Sequence, residues 1–304
     1  MNLKNFLYLD GKTIEVNMGF QNTLEARINE VGNPICMGMD PVLDRIPLEG
    51  SAEEKIKNFY MGLLEAMDEA KIYPAAVKPN SAYYECISIE AQQVLKDLIS
   101  EYQKRGILVV LDAKRGDIGK SSQAYAQAAF DVFGADCITA SPYMGEDSLM
   151  PFVNYDEAKG VYSLLRTSNK GASDFQDLKL EGRASSEVLF HGVADKLMTW
   201  DNGSLGAVVG ATHLAEMVKI TRYFVEAGHE IPFLIPGVSV KGVAGQQGGE
   251  AGSVIQALKD GGATRNFHLL NSSSGLNYAY EAYPELDYKK AFIRALGSLI
   301  EDCQ

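Results

Sequence analysis

The sequence has few cysteines and a deficit of positive charge, and each shortage argues against a class of protein. Its four cysteines, at positions 36, 86, 137 and 303, lie far apart without a Cys-x-x-Cys pair. They indicate reduced thiols rather than a disulfide framework or a zinc site. The 28 Lys and Arg residues against 40 Asp and Glu give a formal net charge of -12. Binding to nucleic acid or to an anionic membrane depends on clustered Lys and Arg side chains. An acidic protein is therefore expected to bind neither partner.

Long apolar segments are missing as well. No stretch approaches the roughly 20 apolar residues of a membrane span. Residues 1–10 contain no signal-peptide core or cleavage site, so a cytoplasmic protein is expected. The four histidines show no His-Glu-x-x-His or similar ligand spacing, and the sequence therefore predicts no metal site.

What the sequence does contain is an alternation of short apolar runs with stretches of helical periodicity. One such stretch follows Ser51, which forms a capping-box pattern with Glu54, and another apolar stripe runs from Phe292 to Ile300. Alternating strands and helices imply a parallel sheet with right-handed crossovers. The predicted strands cover residues 35–40, 75–78, 108–112, 137–141, 161–167, 206–210, 232–236 and 267–271.

Eight such units favour closure into a (β/α)8 TIM barrel. An open doubly wound sheet is the competing architecture, but it would gather its site at one switch point. Here polar residues follow several strand ends, as in barrel active sites; examples are Asp40, Asp112 and Asn271. The 304 residues, 46% of them hydrophobic, suit a single domain. Asp10-Gly11 between two short apolar runs predicts a hairpin, so residues 1–20 are interpreted as an N-terminal extension of this domain.

The segment from Leu111 to Ile118, Leu-Asp-Ala-Lys-Arg-Gly-Asp-Ile, concentrates charge directly after an apolar strand. Asp112 and Lys114 are two positions apart, so on a strand their side chains point to the same side. A neighbouring carboxylate can keep a lysine protonated in a partly dry cleft, where desolvation alone would lower the lysine pKa. Lys114 is therefore the predicted proton donor.

This Asp-x-Lys-x-x-Asp-Ile pattern resembles the catalytic signature of the orotidine 5'-monophosphate decarboxylase family, and four further segments match that family in order. They are Met39-Asp40-Pro41 after the first strand, Val77-Lys78-Pro79 in the second, Arg166-Thr167-Ser168-Asn169 after the fifth, and Pro236-Gly237-Val238 with Gln247-Gly248-Gly249 after the seventh. The Arg-Thr-Ser-Asn segment is similar to that of the longer bacterial branch.

The resemblance implies a carboxy-lyase that uses neither cofactor nor metal. It would form UMP and carbon dioxide from orotidine 5'-monophosphate in pyrimidine biosynthesis. The family also implies a homodimer with shared active sites, in which Asp117 reaches in from the partner subunit. The implied catalytic residues are Lys78, Asp112, Lys114 and Asp117. The implied substrate-binding residues are Asp40 at the ribose, Ser168 at the pyrimidine, Ile118 near the leaving carbon dioxide, Ser121, Pro236 and Gln247.

One departure from the family concerns the phosphate. Ser274 occupies the position at which the family places an arginine, and a serine cannot replace the bidentate charge of a guanidinium. Residues 239–244 also look like an insertion into the loop after strand seven, the usual phosphate site of barrels. The candidate phosphate ligands are Gly248, Gly249, Ser273, Ser274 and, within the insertion, Lys241.

Two other functions remain open on the sequence alone. A metal-dependent sugar-phosphate decarboxylase or aldolase of the same suprafamily would share the Asp-x-Lys-x-x-Asp signature but would not explain Arg166-Thr167-Ser168-Asn169. A non-catalytic nucleotide-binding protein is favoured only by the missing arginine, whereas the presence of Lys114 and Asp117 argues against it.

Overall fold

The computed structural model describes the backbone of residues 5–9 and 12–16, and both backbone and side chains of residues 19–182, 188–243 and 248–304. The first two segments form an antiparallel hairpin of β1 (Asn5–Leu9) and β2 (Lys12–Val16). This confirms the predicted pairing of the two apolar runs. The predicted turn residues Asp10 and Gly11 lie outside the described residues.

Eight parallel strands close into a barrel in which each strand is hydrogen-bonded to its two neighbours. This confirms the predicted (β/α)8 fold and all eight strands, with ends shifted by one to three residues. The barrel strands are β3 (Ile35–Met39), β4 (Ala76–Pro79), β5 (Leu108–Arg115), β6 (Cys137–Ala140), β7 (Gly160–Arg166), β8 (Leu205–Val209), β9 (Phe233–Pro236) and β12 (Leu269–Ser272). A short parallel pair, β10 (Val238–Ser239) and β11 (Gly249–Glu250), lies in the chain between the last two.

Helices alternate with the strands and cover the outside of the barrel. They are α1 (Phe20–Val31), α2 (Ala52–Ala70), α3 (Ser81–Glu85), α4 (Ile89–Gln103), α5 (Gly119–Gln127), α6 (Glu146–Val153), α7 (Leu189–Trp200), α8 (Leu214–Glu226), α9 (Ala251–Asp260), α10 (Ser274–Asn277) and α11 (Tyr288–Glu301). The predicted capping box starts α2, because Ser51 Oγ accepts a hydrogen bond from the Glu54 amide and the Glu54 carboxylate accepts one from the Ser51 amide.

The barrel interior contains a buried layer to which each of the eight barrel strands contributes one side chain. The eight side chains are Cys36, Ala76, Val110, Cys137, Tyr162, Val208, Leu234 and Leu269. Because side chains alternate along a strand, residues two positions further on also point inward, one layer closer to the C-terminal mouth. In this second layer the chain places Lys78, Asp112, Thr139 and Asn271, all buried. The apolar layer thus forms the floor beneath a polar site.

Candidate active site

Lys78 and Asp112 form a buried ion pair at the mouth of the barrel. Lys78 Nζ lies 2.9 Å from Asp112 Oδ2, and each side chain is only 7% exposed. Lys78 extends from β4 and Asp112 from the adjacent β5, so neighbouring parallel strands bring the two predicted residues together. Their position above Ala76 and Val110 follows from the two-residue period of the strands.

The electrostatics of this pair favour two charged side chains. Burial alone would raise the pKa of Asp112, but the ammonium groups of Lys78 and Lys114 outweigh it and lower that pKa to about 2. Burial alone would also lower the pKa of Lys78, but the carboxylates of Asp112 and Asp40 outweigh it, and the pKa rises above its usual range. The site therefore holds fixed opposite charges at neutral pH.

Lys114 joins the pair from the rim of the barrel. Its Nζ lies 2.7 Å from Asp112 Oδ1, while its side chain is 49% exposed. The Lys114 backbone has a φ of 43°, a left-handed conformation that is uncommon outside glycine. The partly dry environment predicted for Lys114 is thus shared with Lys78, which is the more deeply buried lysine of the cluster.

Thr139 is a further member of this cluster and was not predicted from the sequence. Its hydroxyl donates a hydrogen bond to Asp112 Oδ1 at 2.8 Å and accepts one from the Lys114 amide at 2.9 Å. The side chain is 1% exposed. The available signal was a hydroxyl residue at an inward-facing position in the middle of the predicted fourth strand, two residues after Cys137.

Asp40, the predicted ribose ligand, follows β3, the strand next to β4 in the barrel, and is held by two hydroxyl groups. Ser273 Oγ donates to Asp40 Oδ2, and the Tyr278 hydroxyl donates to the Asp40 backbone carbonyl at 3.1 Å. Asp40 Oδ1 is buried and has no hydrogen-bond partner in the part of the chain that the structure describes. One carboxylate oxygen therefore has hydrogen-bonding capacity that no described residue uses.

Asp117, Ile118 and Ser121 surround the start of α5 and do not join the lysine cluster of their own chain. Asp117 Oδ1 accepts a hydrogen bond from the Ile118 amide at 2.8 Å. The Ile118 side chain is 49% exposed, and Ser121 is also exposed. Residues that contribute to a partner's site must face outward from their own chain, as these residues do. Their contribution to a partner's site stays a prediction.

Ser168 and Pro236 lie at the ends of β7 and β9, on either side of the end of β8. A Cβ atom at Gly210, which follows β8, would come 2.8 Å from the Ser168 Cβ, so glycine is needed for this close approach. The Pro236 carbonyl accepts from the Ala211 amide at 3.0 Å. The backbone thus brings the predicted pyrimidine contact and the loop after the seventh barrel strand to one edge of the mouth.

The five phosphate candidates differ in what the structure leaves available. The Gly249 amide already donates to the Gly237 carbonyl at 2.9 Å, and Ser273 is engaged with Asp40. Ser274 is exposed at the start of α10. Lys241 is 75% exposed, and its Nζ lies 3.8 Å from Asp302 Oδ1 near the C-terminus. The fifth candidate, Gly248, lies so close to the Gly237 carbonyl that a Cβ atom there would overlap its oxygen. The predicted substrate ligand Gln247 and the end of the predicted insertion lie outside the described residues.

The described parts of the chain show neither a metal-ligand cluster nor a membrane-spanning helix. Across residues 19–182, 188–243 and 248–304, no three His, Cys, Asp or Glu side chains are grouped closely enough to hold a metal ion. Of the helices that the structure describes, none combines the length and apolar character needed to cross a bilayer.

A closed parallel barrel with a buried lysine-aspartate pair and a second lysine at its C-terminal mouth is the architecture of a barrel enzyme. Residues 34–263 match the model of the orotidine 5'-phosphate decarboxylase / HUMPS family. The chain therefore belongs to this family. The matched range ends before the eighth barrel strand, so the unusual Ser274 lies beyond it.

Individual relatives and solved structures agree with the family match. The chain is 38% identical to the orotidine 5'-phosphate decarboxylase of Halorubrum lacusprofundi over 284 residues, which cover 92% of this chain and 95% of the relative. It resembles the structure of Leishmania donovani OMP decarboxylase with a TM-score of 0.70 and 32% identity, covering 93% of this chain and 99% of that one. It also resembles Leishmania donovani UMP synthase, with a TM-score of 0.72 and 33% identity, but spans only 56% of that longer chain.

Proposed function

We propose that this chain converts orotidine 5'-monophosphate to UMP and carbon dioxide, as a carboxy-lyase of pyrimidine biosynthesis. The observation that carries the proposal is the placement of Asp112 between the ammonium groups of Lys78 and Lys114, at 2.9 and 2.7 Å. The test is the loss of orotidine 5'-monophosphate absorbance on addition of the purified protein. No absorbance change at any substrate concentration would refute the assignment.

The chemical demand of this reaction is a carbanion at C6 of the pyrimidine. When the bond from C6 to the carboxylate breaks, its electron pair stays on C6, which has no adjacent group to delocalise the charge. Fixed charge must then do what a cofactor usually does. An ammonium group about 4 Å from the developing carbanion contributes about 4 kcal/mol at an effective dielectric constant of 20.

Lys114 supplies that charge and then the proton. Its N–H bond breaks as the C6–H bond forms, and the neutral amine regains a proton from water, which its half-exposed position permits. Asp112 holds the ammonium group in place, and the buried Lys78 keeps Asp112 ionised. Because these charges are present before the substrate binds, little reorganisation is needed during the reaction.

The remaining predicted residues bind the substrate around this cluster. Asp40 Oδ1, which has no partner among the described residues, accepts from a ribose hydroxyl. Ser168 contacts the pyrimidine from the end of β7, and Pro236 lines the same edge. For the phosphate, the backbone at Gly248 and the exposed hydroxyl of Ser274 are the better-placed donors, because Lys241 is directed toward Asp302.

The reaction is proposed to proceed without a metal, because the charge cluster can act alone. Activity should stay within experimental error of the untreated enzyme after a chelator is added and removed by gel filtration. Parallel assays with and without added magnesium provide the measurement. Activity that disappears with the chelator and returns with magnesium would favour the sugar-phosphate decarboxylase or aldolase alternative.

The active site is further proposed to be shared in a homodimer, with Asp117, Ile118 and Ser121 contributed to the partner. Lys114→Ala and Asp117→Ala should each be inactive alone, but mixing them should restore activity. Random subunit exchange makes about half of the molecules heterodimers, each with one intact site, so about a quarter of all sites become wild-type. Labelled subunits verify the exchange. An absence of recovery after verified exchange would contradict sharing.

A further inference from the structure

The pairing between β5 and β6 is irregular at the catalytic segment. Leu111 pairs with Ile138, and the next pair is Arg115 with Ala140. Asp112, Ala113 and Lys114 therefore face the single residue Thr139. Such a bulge interrupts the regular ladder and redirects the side chains of the longer strand, and bulges are common beside active sites. Here it leaves the Lys114 amide to bond with a side chain.

The Thr139 hydroxyl forms hydrogen bonds with both Asp112 and Lys114, the two polar residues of the bulge. A hydroxyl has one proton to donate, and an ionised carboxylate can only accept, so Thr139 must donate to Asp112 Oδ1. Its lone pair then accepts from the Lys114 amide. These two hydrogen bonds measure 2.8 and 2.9 Å. Since Thr139 is 1% exposed, water cannot readily replace either bond.

Lys114 is consequently held at both ends through one hydroxyl group. The Thr139 hydroxyl holds the lysine backbone directly, and it holds the lysine ammonium through the Asp112 oxygen that both groups share. The left-handed φ of 43° at Lys114 costs energy and persists only where surrounding contacts enforce it. The β-branched threonine also restricts χ1, so the hydroxyl position is well defined.

We infer that Thr139 is a positioning residue for the decarboxylation, which fixes the backbone bulge and thereby the direction of the Lys114 ammonium toward C6. The inference rests on the proposed function, because it assigns Thr139 a role through the proton donor. Thr139 itself is not required to touch the substrate. Its loss should therefore slow the chemical step more than it weakens binding.

The experiment compares Thr139→Val, which keeps the shape and removes the hydroxyl, with Thr139→Ser, which keeps the hydroxyl. Thr139→Val should lower kcat at least about tenfold, since a buried amide loses its acceptor and the lysine its anchor. KM and the inhibition constant of UMP should stay within about threefold of wild type, because ground-state contacts are retained. Thr139→Ser should recover kcat to within about threefold of wild type.

Ser163→Ala is the matched control. Ser163 lies on the adjacent strand β7, pairs with Ala140, and has a buried hydroxyl without a hydrogen-bond partner in the described structure. Its replacement should leave kcat unchanged. Thermal unfolding is recorded for every variant, and Thr139→Ala replaces Thr139→Val with the same expectation if the latter does not fold.

Two results would overturn the inference. One is a folded Thr139→Val or Thr139→Ala enzyme with kcat within about threefold of wild type. The other is a Thr139→Ser enzyme as slow as Thr139→Val, which would show that shape rather than the hydroxyl matters. Either result leaves the proposed function intact as long as the wild-type protein consumes orotidine 5'-monophosphate. A wild-type protein without that activity would refute the proposed function instead.

Discussion

Lys114→Ala is expected to retain less than about a tenth of wild-type kcat/KM, a loss above about 1.4 kcal/mol of transition-state stabilisation. The variant removes both the ammonium that stabilises the C6 carbanion and the proton that the product requires. Lys78 cannot substitute, because it is buried against Asp112. Steady-state kinetics of the purified variant, together with its circular dichroism spectrum, provide the measurement.

Lys71→Ala is a matched control for this change. Lys71 is the other described non-glycine residue with a positive φ, at 57°, and it is exposed at the end of α2. It shares with Lys114 the residue type and the left-handed backbone but lies outside the site. Its replacement should leave kcat/KM unchanged. A Lys114→Ala enzyme that keeps more than about a tenth of the activity would contradict the assigned proton donor.

Asp112→Ala is expected to reduce both activity and stability. The change leaves the Lys78 ammonium buried without its partner, and breaking a buried ion pair in this way typically costs about 3–5 kcal/mol. Urea unfolding measures the free energy of unfolding. The double variant Asp112→Ala with Lys78→Met removes both charges, so it should recover most of the stability while remaining inactive. An Asp112→Ala protein as stable as wild type would contradict the expected contribution of the Lys78–Asp112 pair to the free energy of unfolding.

The stability difference between wild type and Asp112→Ala should also depend on pH. The pKa of Asp112 is lowered to about 2 in the folded protein, whereas an unfolded aspartate titrates at about 3.9. The folded state thus favours the ionised form, and the stability that Asp112 contributes is complete above the unfolded pKa. It is lost as the pH falls toward 2. The difference should therefore narrow between about pH 4 and pH 2, and a constant difference over that range would contradict the ion-pair origin.

The sequence predicted those parts of the fold that depend on local pattern. Each barrel strand is a short apolar run, and the capping box of Ser51 and Glu54 marks the start of α2. The order of the strands followed from the alternation of elements. The resemblance to a family then indicated which polar strand ends form the site, and the structure brings Lys78, Asp112 and Lys114 together.

The sequence could not predict features that arise from pairing between distant segments. The bulge at Lys114 exists only in register with β6, so neither its left-handed backbone nor the contacts of Thr139 could be inferred from a plain strand. For the same reason the hydrogen bond from Ser273 to Asp40, 233 positions away in the chain, could not be inferred from the sequence. The phosphate contact of Ser273 stays a prediction.

The contact between Ser273 and β3 has a consequence for how this site can evolve. A Cβ atom at Gly38 would lie 2.6 Å from the Ser273 Cβ, so any larger residue at position 38 pushes Ser273 away from Asp40. The tolerance of position 38 to mutation therefore depends on the residue at 273. Alanine at position 273 would keep the Cβ atom that lies 2.6 Å away, so only glycine there would remove both the Cβ and Oγ contacts with a side chain at position 38. The proposed ribose contact of Asp40 thus restricts which side chains can occupy positions 38 and 273 together.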